Sequence, residues 1–394
     1  MNGYRIPGRR AVEIVKDELL GDGMEGEVYP IADNSAVCAK IYTSPHDDVI
    51  DRVAALVGLP PARWDGDHPA HFHVAWPQAP LVDERGRPCG FVMPRIAGLP
   101  LEMLGDARGR HQALLEPTWR ELLVIAARVA HLFDMLHDVG VVVGDVSLKN
   151  VMVTPTGHVT LVDCDTVQFT APGGRLFRTP KFTPEYAPPE ADQLVHRPST
   201  PAQDSFGLAI MICWLLMEGQ NPFAGVLTDA SLPDDVQQNV MSQNNRLLWP
   251  DRFVPMEGEL PVEVLPPEIL ALARRCFAEG HHDPAARPRP GEWVAALNRA
   301  QYRLMGCREN PMHFYSASLP SCVWCARIAG GLLDEYPPRS PLVPPGPAAP
   351  VPQQPAGVPA QPQPEQPGIG AARVVAIALL LVLVVAIILA VMSG

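Results

Sequence analysis

No stretch of this 394-residue chain is strongly basic, and its formal net charge is −12. Nucleic-acid binding needs clustered Lys and Arg against phosphates, so no nucleic-acid partner is expected. The first ten residues carry charge with no apolar run after them, so no signal peptide is read there. The eight cysteines form no disulfide framework: Cys38, Cys89, Cys164, Cys213 and Cys276 are scattered, and three others cluster late in the chain. That usage suits a reducing compartment and one local metal site. Internal repeats are missing. So is a Gly-Lys-Ser/Thr that opens a helix, which excludes a P-loop.

What is present falls into three regions of different composition. Residues 1 to about 330 are mixed and globular. Residues 337–368 are dominated by Pro, Ala, Gln and Gly with almost no charge, a composition that buries no core and predicts an extended tether. Val374 to Met392 are apolar without interruption. At 1.5 Å per residue that run spans roughly 28 Å, enough to cross the hydrocarbon of a bilayer as one transmembrane helix. Arg373 flanks it on the N-terminal side, which places everything before it in the cytoplasm by the positive-inside rule. The expected location is therefore the cell membrane, through a single-pass C-terminal anchor in the lipid bilayer.

Within the globular region, strand-like runs come first: Ala11–Val15, Glu27–Ile31, Ala36–Tyr42, His73–Trp76 and Gly90–Pro94, with a short helix near Val49–Leu56. Helical patterns follow at Trp119–Asp138 and Ser205–Met217. This order predicts an α+β fold of two lobes with a cleft between them, a β-rich lobe over residues 1–96 and a helical lobe over 97–303.

Gly21-Asp22-Gly23-Met24-Glu25-Gly26-Glu27-Val28 reads G-x-G-x-x-G-x-V. Such glycines let backbone N–H groups approach phosphate oxygens without a Cβ in the way. Lys40, on the next strand-like run, can reach back to pair with the α- and β-phosphates. Further on, Asp145 and Asn150 stand in a D-x-x-x-x-N pattern between apolar runs, and Asp163 ends the next strand-like run. Asp145 stands where a substrate hydroxyl must lose its proton. Asn150 and Asp163 supply the oxygen ligands that Mg²⁺ on ATP requires.

On these motifs the sequence resembles the protein-kinase superfamily of eukaryotic type over about residues 10–300. Leu136-His137 precedes the loop of Asp145, Thr183-Pro184-Glu185-Tyr186-Ala187-Pro188-Pro189-Glu190 looks like the end of an activation segment, and Asp204-Ser205-Phe206-Gly207 like the start of the central helix of the second lobe. The resemblance implies that Arg287 pairs with Glu190, and that the Pro94 carbonyl and Ile96 N–H meet adenine at the hinge. It also implies a helix carboxylate pairing with Lys40, for which Asp51 is the first choice and Asp48 the second. Thr183 resembles the serine/threonine class, so the implied function is a Ser/Thr protein kinase acting on protein substrates.

Several positions depart from the family. The usual His-Arg before the catalytic Asp is Val143-Gly144, which leaves an activation-segment phosphate without a partner there, so activity is expected without phosphorylation. The usual lysine two residues after it is Ser147, with Lys149 nearby, and the metal motif is Asp163-Cys164-Asp165. The Asp-x-Asp motif and the Thr183–Glu190 ending look most like a bacterial subgroup associated with a metal-dependent phosphatase and a von Willebrand A-type protein, the implied partners. Two other readings share the motifs: a nucleotide-binding pseudokinase scaffold, and a small-molecule phosphotransferase of the aminoglycoside-kinase type.

Cys307, His313, Cys322 and Cys325 follow within nineteen residues, over a segment bounded at 304–330. Three thiolates and an imidazole so closely spaced suit a structural Zn²⁺ held in a closed tetrahedron. The knuckle is expected to lie outside the main core.

Overall fold

The computed structural model describes residues 4–8, 11–23, 25–59, 73–191, 197–232 and 235–338 of the chain. The apolar run 374–392, expected to cross a membrane, and all of the expected tether beyond residue 338 lie outside the described residues. Among the described residues no helix is long and apolar enough to cross a membrane.

The first lobe is an antiparallel sheet of seven strands: β1 (Tyr4–Arg5), β2 (Ala11–Val12), β3 (Gly21–Asp22), β4 (Gly26–Ile31), β5 (Asn34–Tyr42), β6 (Ala79–Val82) and β7 (Pro88–Pro94). Their order across the sheet is β2-β1-β6-β7-β5-β4-β3. Alternation along β5 buries Cys38, Lys40 and Tyr42, with Ala39 buried against the other face. Two glycines let the flanking strands close on β5. A Cβ on Gly26 would meet the Ile41 carbonyl oxygen at 2.3 Å, and one on Gly90 would meet the Lys40 carbonyl oxygen at 2.0 Å. Helix α1 (Asp47–Val57) is capped by His46, carries Asp47 and Asp48 in its first turn where the helix dipole favours them, and buries Val53 and Leu56.

The second lobe is helical. It contains α2 (Ala107–Ala113), α3 (Trp119–Asp138), α4 (Pro201–Leu216), α5 (Val236–Met241), α6 (Pro267–Phe277), α7 (Glu279–His282) and α8 (Pro290–Gln301). Thr118 caps α3, and Thr200 with Gln203 forms a capping box on α4 with Pro201 in the first turn. α4 is apolar all round and buries twelve of its residues, which makes it the central helix. At the cleft the lobe presents three short strands, β8 (Leu99–Pro100), β9 (Val151–Val153) and β10 (Val159–Leu161), in the order β10-β9-β8, followed by the hairpin of β11 (Phe169–Thr170) and β12 (Leu176–Phe177).

The sequence expectations for α1, α3, α4 and most strands hold. His73–Trp76 does not form a full strand. Val74 makes a single parallel bridge to Leu161, and Pro77 lacks the N–H that an extended ladder would need.

The knuckle consists of β13 (Leu304–Gly306), β14 (Phe314–Ser316) and α9 (Val323–Ala329). Contrary to expectation, it is continuous with the main core. Trp324 is 2% exposed, lies 6.0 Å from Trp119 and 4.8 Å from Tyr336 between ring centroids, and donates its indole N–H to the Phe314 carbonyl at 2.7 Å. Arg110, fully buried, sits 4.8 Å over the Tyr336 ring and pairs with Glu335 at 2.7 Å. A knuckle this small has too little apolar surface to bury its own tryptophan, so it uses the end of α3.

Candidate active site

Lys40 sits at the seam of the lobes and is 4% exposed. An ammonium taken out of water is costly unless it is paired. Its Nζ lies 2.9 Å from both carboxylate oxygens of Asp165 and 3.2 Å from Asp163 Oδ1. Burial alone would lower its pKa, but the charges of Asp165 and then Asp163 outweigh it and hold the pKa above the ordinary lysine value. Tyr42 donates its hydroxyl to Asp165 Oδ2 at 2.8 Å; burial and then the Asp165 charge keep this phenol protonated far above its usual pKa.

This corrects the expectation for Lys40. Asp51 and Asp48 do not pair with it. Both face solvent on α1 and take Arg175, at 2.6 Å and 3.3 Å. α1 turns Arg52 inward instead, where Nη1 donates to the Val167 carbonyl at 2.6 Å and Nη2 to that of Arg178. An inward arginine leaves that face of α1 no acid to offer Lys40, and the carboxylate comes from the second aspartate of Asp163-Cys164-Asp165.

Asp163 stands at the entrance to a short 3₁₀ turn with φ 55°, the left-handed region, and its carbonyl accepts the Thr166 N–H at 3.1 Å and the Thr166 hydroxyl at 2.9 Å. Asn150 is next to it, because the Asn150 carbonyl accepts from Val162 N–H at 2.8 Å. The Asn150 amide donates to the Asp145 carbonyl at 3.0 Å, which turns its oxygen away from Asp145. Two oxygen donors so placed on one cleft wall fit a hard cation.

The loop of Asp145 is clamped from below. Asp204 accepts from Val143 N–H at 2.7 Å, from Gly144 N–H at 2.8 Å, and pairs with His137 at 2.8 Å. Gly144 has φ +72°, and a Cβ there would meet Thr179 at 2.6 Å. Glycine therefore lets the activation segment lie directly on the catalytic loop. Thr183 donates its hydroxyl to Asp145 Oδ1 at 2.7 Å, and Arg287 grips Glu190 with two bonds of 2.7 Å, as the resemblance implied.

The turn of Gly21, Gly23 and Gly26 joins β3 and β4 and is closed by Gly23 N–H to Gly26 O at 3.1 Å; Met24 lies outside the described residues. Val28, Ile96 and Val162 are half-buried against one apolar cluster with Cys38, Phe91 and Met93, a wall suited to a flat aromatic base. The Pro94 carbonyl lies 3.7 Å from the Cys38 thiol. Sequence reasoning did not single out Asp165 as the partner of Lys40, nor Tyr42, Glu25 or Lys181 at the cleft. The only signal for Asp165 was the doubled aspartate.

In the knuckle, the ligand atoms of Cys307, His313, Cys322 and Cys325 all lie within 4.8 Å of one another. The Cys307 and Cys325 sulfurs are 3.5 Å apart, and His313 Nδ1 lies 3.5 Å from Cys325 Sγ and 3.6 Å from Cys322 Sγ. With Zn–S bonds of about 2.3 Å a tetrahedron has edges of roughly 3.8 Å, so the donor set fits zinc. His313 Nε2 lies 2.8 Å from Asp334, the outer carboxylate that fixes a ligand histidine.

Residues 104–295 match the model of the protein kinase domain. The chain is 33% identical over 327 residues to the protein kinase YegI of Escherichia coli K12, a match covering 80% of this chain and 49% of that protein. It is 26% identical over 261 residues to the serine/threonine-protein kinase PknA of Mycobacterium tuberculosis H37Rv, covering 60% of this chain and 56% of that protein. The chain thus spans about half the length of the curated relatives it matches.

The pairing of Lys40 has a direct consequence for stability. Asp165→Ala takes the nearer carboxylate from a buried ammonium, leaving it Asp163 at 3.2 Å, and should cost on the order of 3 kcal/mol in denaturant unfolding. Asp51→Ala, on the solvent face of α1, should stay within about 0.5 kcal/mol of the wild type. The opposite order would restore the helix carboxylate as the partner of Lys40.

Proposed function

We propose that the chain carries a protein kinase domain of bacterial type and is a membrane-anchored Ser/Thr kinase that transfers the γ-phosphoryl group of ATP to protein hydroxyls. The observation that carries this reading is the Thr183 hydroxyl seated on Asp145 Oδ1 at 2.7 Å. It supports Asp145 as a carboxylate placed to accept from an aliphatic hydroxyl, within the distance that general-base catalysis needs. Asn150 and Asp163 would hold Mg²⁺, which supplies charge neutralisation on the phosphates. Lys40 would pair with the α- and β-phosphates, the turn of Gly21, Gly23 and Gly26 would cover them, and Val28, Ile96 and the Pro94 carbonyl would receive adenine. The Thr183–Glu190 segment, anchored by Arg287, favours a protein over a small-molecule acceptor. Thr179 packed on Gly144 supports an activation segment ordered without phosphorylation.

The same proposal includes the transmembrane run 374–392 as the anchor, with the kinase on the cytoplasmic side. A metal-dependent phosphatase and a von Willebrand A-type protein would be its partners. A structural zinc ion would be held by Cys307, His313, Cys322 and Cys325.

The purified chain of residues 1–394 in detergent, given radiolabelled ATP and Mg²⁺, should label a protein acceptor on Ser or Thr. Asp163→Ala should reduce the rate by about 10²–10³-fold or more. Undiminished labelling in that variant would overturn the reading. For the metal, elemental analysis should find one zinc per chain, lost in Cys322→Ser. Because Trp324 packs on Trp119, that loss should lower the melting temperature of the whole kinase unit in one transition. Metal-free wild-type protein would contradict the zinc proposal.

A further inference from the structure

Two lysines face one carboxylate at the mouth of the cleft. Glu25, at the glycine-rich turn, has Oε2 4.0 Å from Lys40 Nζ and Oε1 3.6 Å from Lys181 Nζ. Lys181 Nζ also lies 3.7 Å from Asp145 Oδ2, while the other oxygen of Asp145 accepts Thr183. The backbone that carries Lys181 is fixed: its carbonyl accepts the Thr179 hydroxyl at 3.0 Å, and Thr179 rests on Gly144. A chain of alternating charges therefore runs Lys40–Glu25–Lys181–Asp145 across the cleft. The ammonium of Lys181 stands on the acceptor side of it and that of Lys40 on the metal-binding side.

The geometry points to Lys181 as a catalytic lysine that contacts the outermost phosphoryl group of the nucleotide, with the Glu25 carboxylate marking the same anionic position. The inference rests on the kinase reading above and names a residue for it. The group being transferred lies between the nucleotide and the acceptor hydroxyl, and its charge is spread over oxygens that a nearby cation stabilises. Lys40 is committed to Asp165 and Asp163 at the inner end. Ser147, two residues past Asp145, carries no charge. Lys181 touches the carboxylate that receives the acceptor, so it is placed at the outer phosphate. In the transfer, the hydroxyl proton goes to Asp145 as the acceptor oxygen bonds to phosphorus and the bond to the ADP oxygen breaks. Lys181 remains an ammonium throughout. An ion pair that only tied the activation segment to the turn would contribute little, because half-exposed pairs are weak.

The test compares Mg·ATP with Mg·ADP on the whole chain of residues 1–394, by calorimetric binding and by phosphoryl transfer. Lys181→Ala should weaken ATP about tenfold while leaving ADP within about twofold, and should cut kcat about 10²-fold. Lys181→Gln should behave in the same way, and melting temperatures near wild type would show that both are folded. Lys181→Arg, which keeps the charge, should retain the preference for ATP. Equal losses for ATP and ADP, or unchanged kcat in Lys181→Ala and Lys181→Gln, would overturn the assignment. If those results came with wild-type transfer that is lost in Asp163→Ala, the kinase reading would stand and only the role of Lys181 would fall. Absence of Asp163-dependent transfer in the wild type would remove both.

Discussion

A buried ammonium must find its counter-charge, and the position of Lys40 makes that requirement a constraint on the whole cleft. β5 brings the lysine from one lobe, and the turn after β10 brings Asp163 and Asp165 from the other. The interaction sets how the two lobes meet. It also explains why α1 needs no acidic residue facing inward. With Asp165 serving Lys40, α1 offers Arg52 to the backbone carbonyls of Val167 and Arg178 and thereby holds the start of the activation segment. Two aspartates one residue apart divide the work: the buried one fixes the lysine, and the more exposed one faces the cleft.

The catalytic loop is held by a second set of constraints. Asp204, buried at the start of α4, takes two backbone N–H groups and His137, so the loop's conformation is set from the core of the helical lobe. Gly144 accepts the left-handed backbone there without a side chain, and the space that a side chain would need is filled by Thr179. The far end of the segment is held by the Glu190–Arg287 pair. Direct packing at one end and an ion pair at the other order the segment, which is the physical basis for expecting activity without a phosphate.

Much of this was legible in the sequence, in proportion to how local the signal was. Gly21, Gly23, Gly26, Lys40, Asp145, Asn150 and Asp163 carry their chemistry in short spacings, and the structure brings them to one cleft. The cysteine knuckle is local as well, since Cys307, His313, Cys322 and Cys325 lie within nineteen residues and the structure brings their side chains together. What the sequence did not show depends on rotation and long-range packing. Periodicity located α1 but did not say that Arg52, rather than Asp51 or Asp48, would face the seam. The doubled aspartate was visible, yet the burial of Asp165 depends on Tyr42 and Lys40, more than a hundred residues earlier. The union of the knuckle with the core needs Trp119 against Trp324, and Tyr336 sits at the edge of the proline-rich segment with no pattern to mark it.

The division of labour in which Asp163 would serve the metal and Asp165 the lysine can be checked by measuring nucleotide affinity with and without Mg²⁺ in Asp163→Asn and Asp165→Asn side by side. Asp163→Asn should bind ATP with little or no gain from Mg²⁺. Asp165→Asn should bind more weakly overall and keep a gain from Mg²⁺ close to that of the wild type. Loss of the Mg²⁺ effect in Asp165→Asn, with retention in Asp163→Asn, would contradict it.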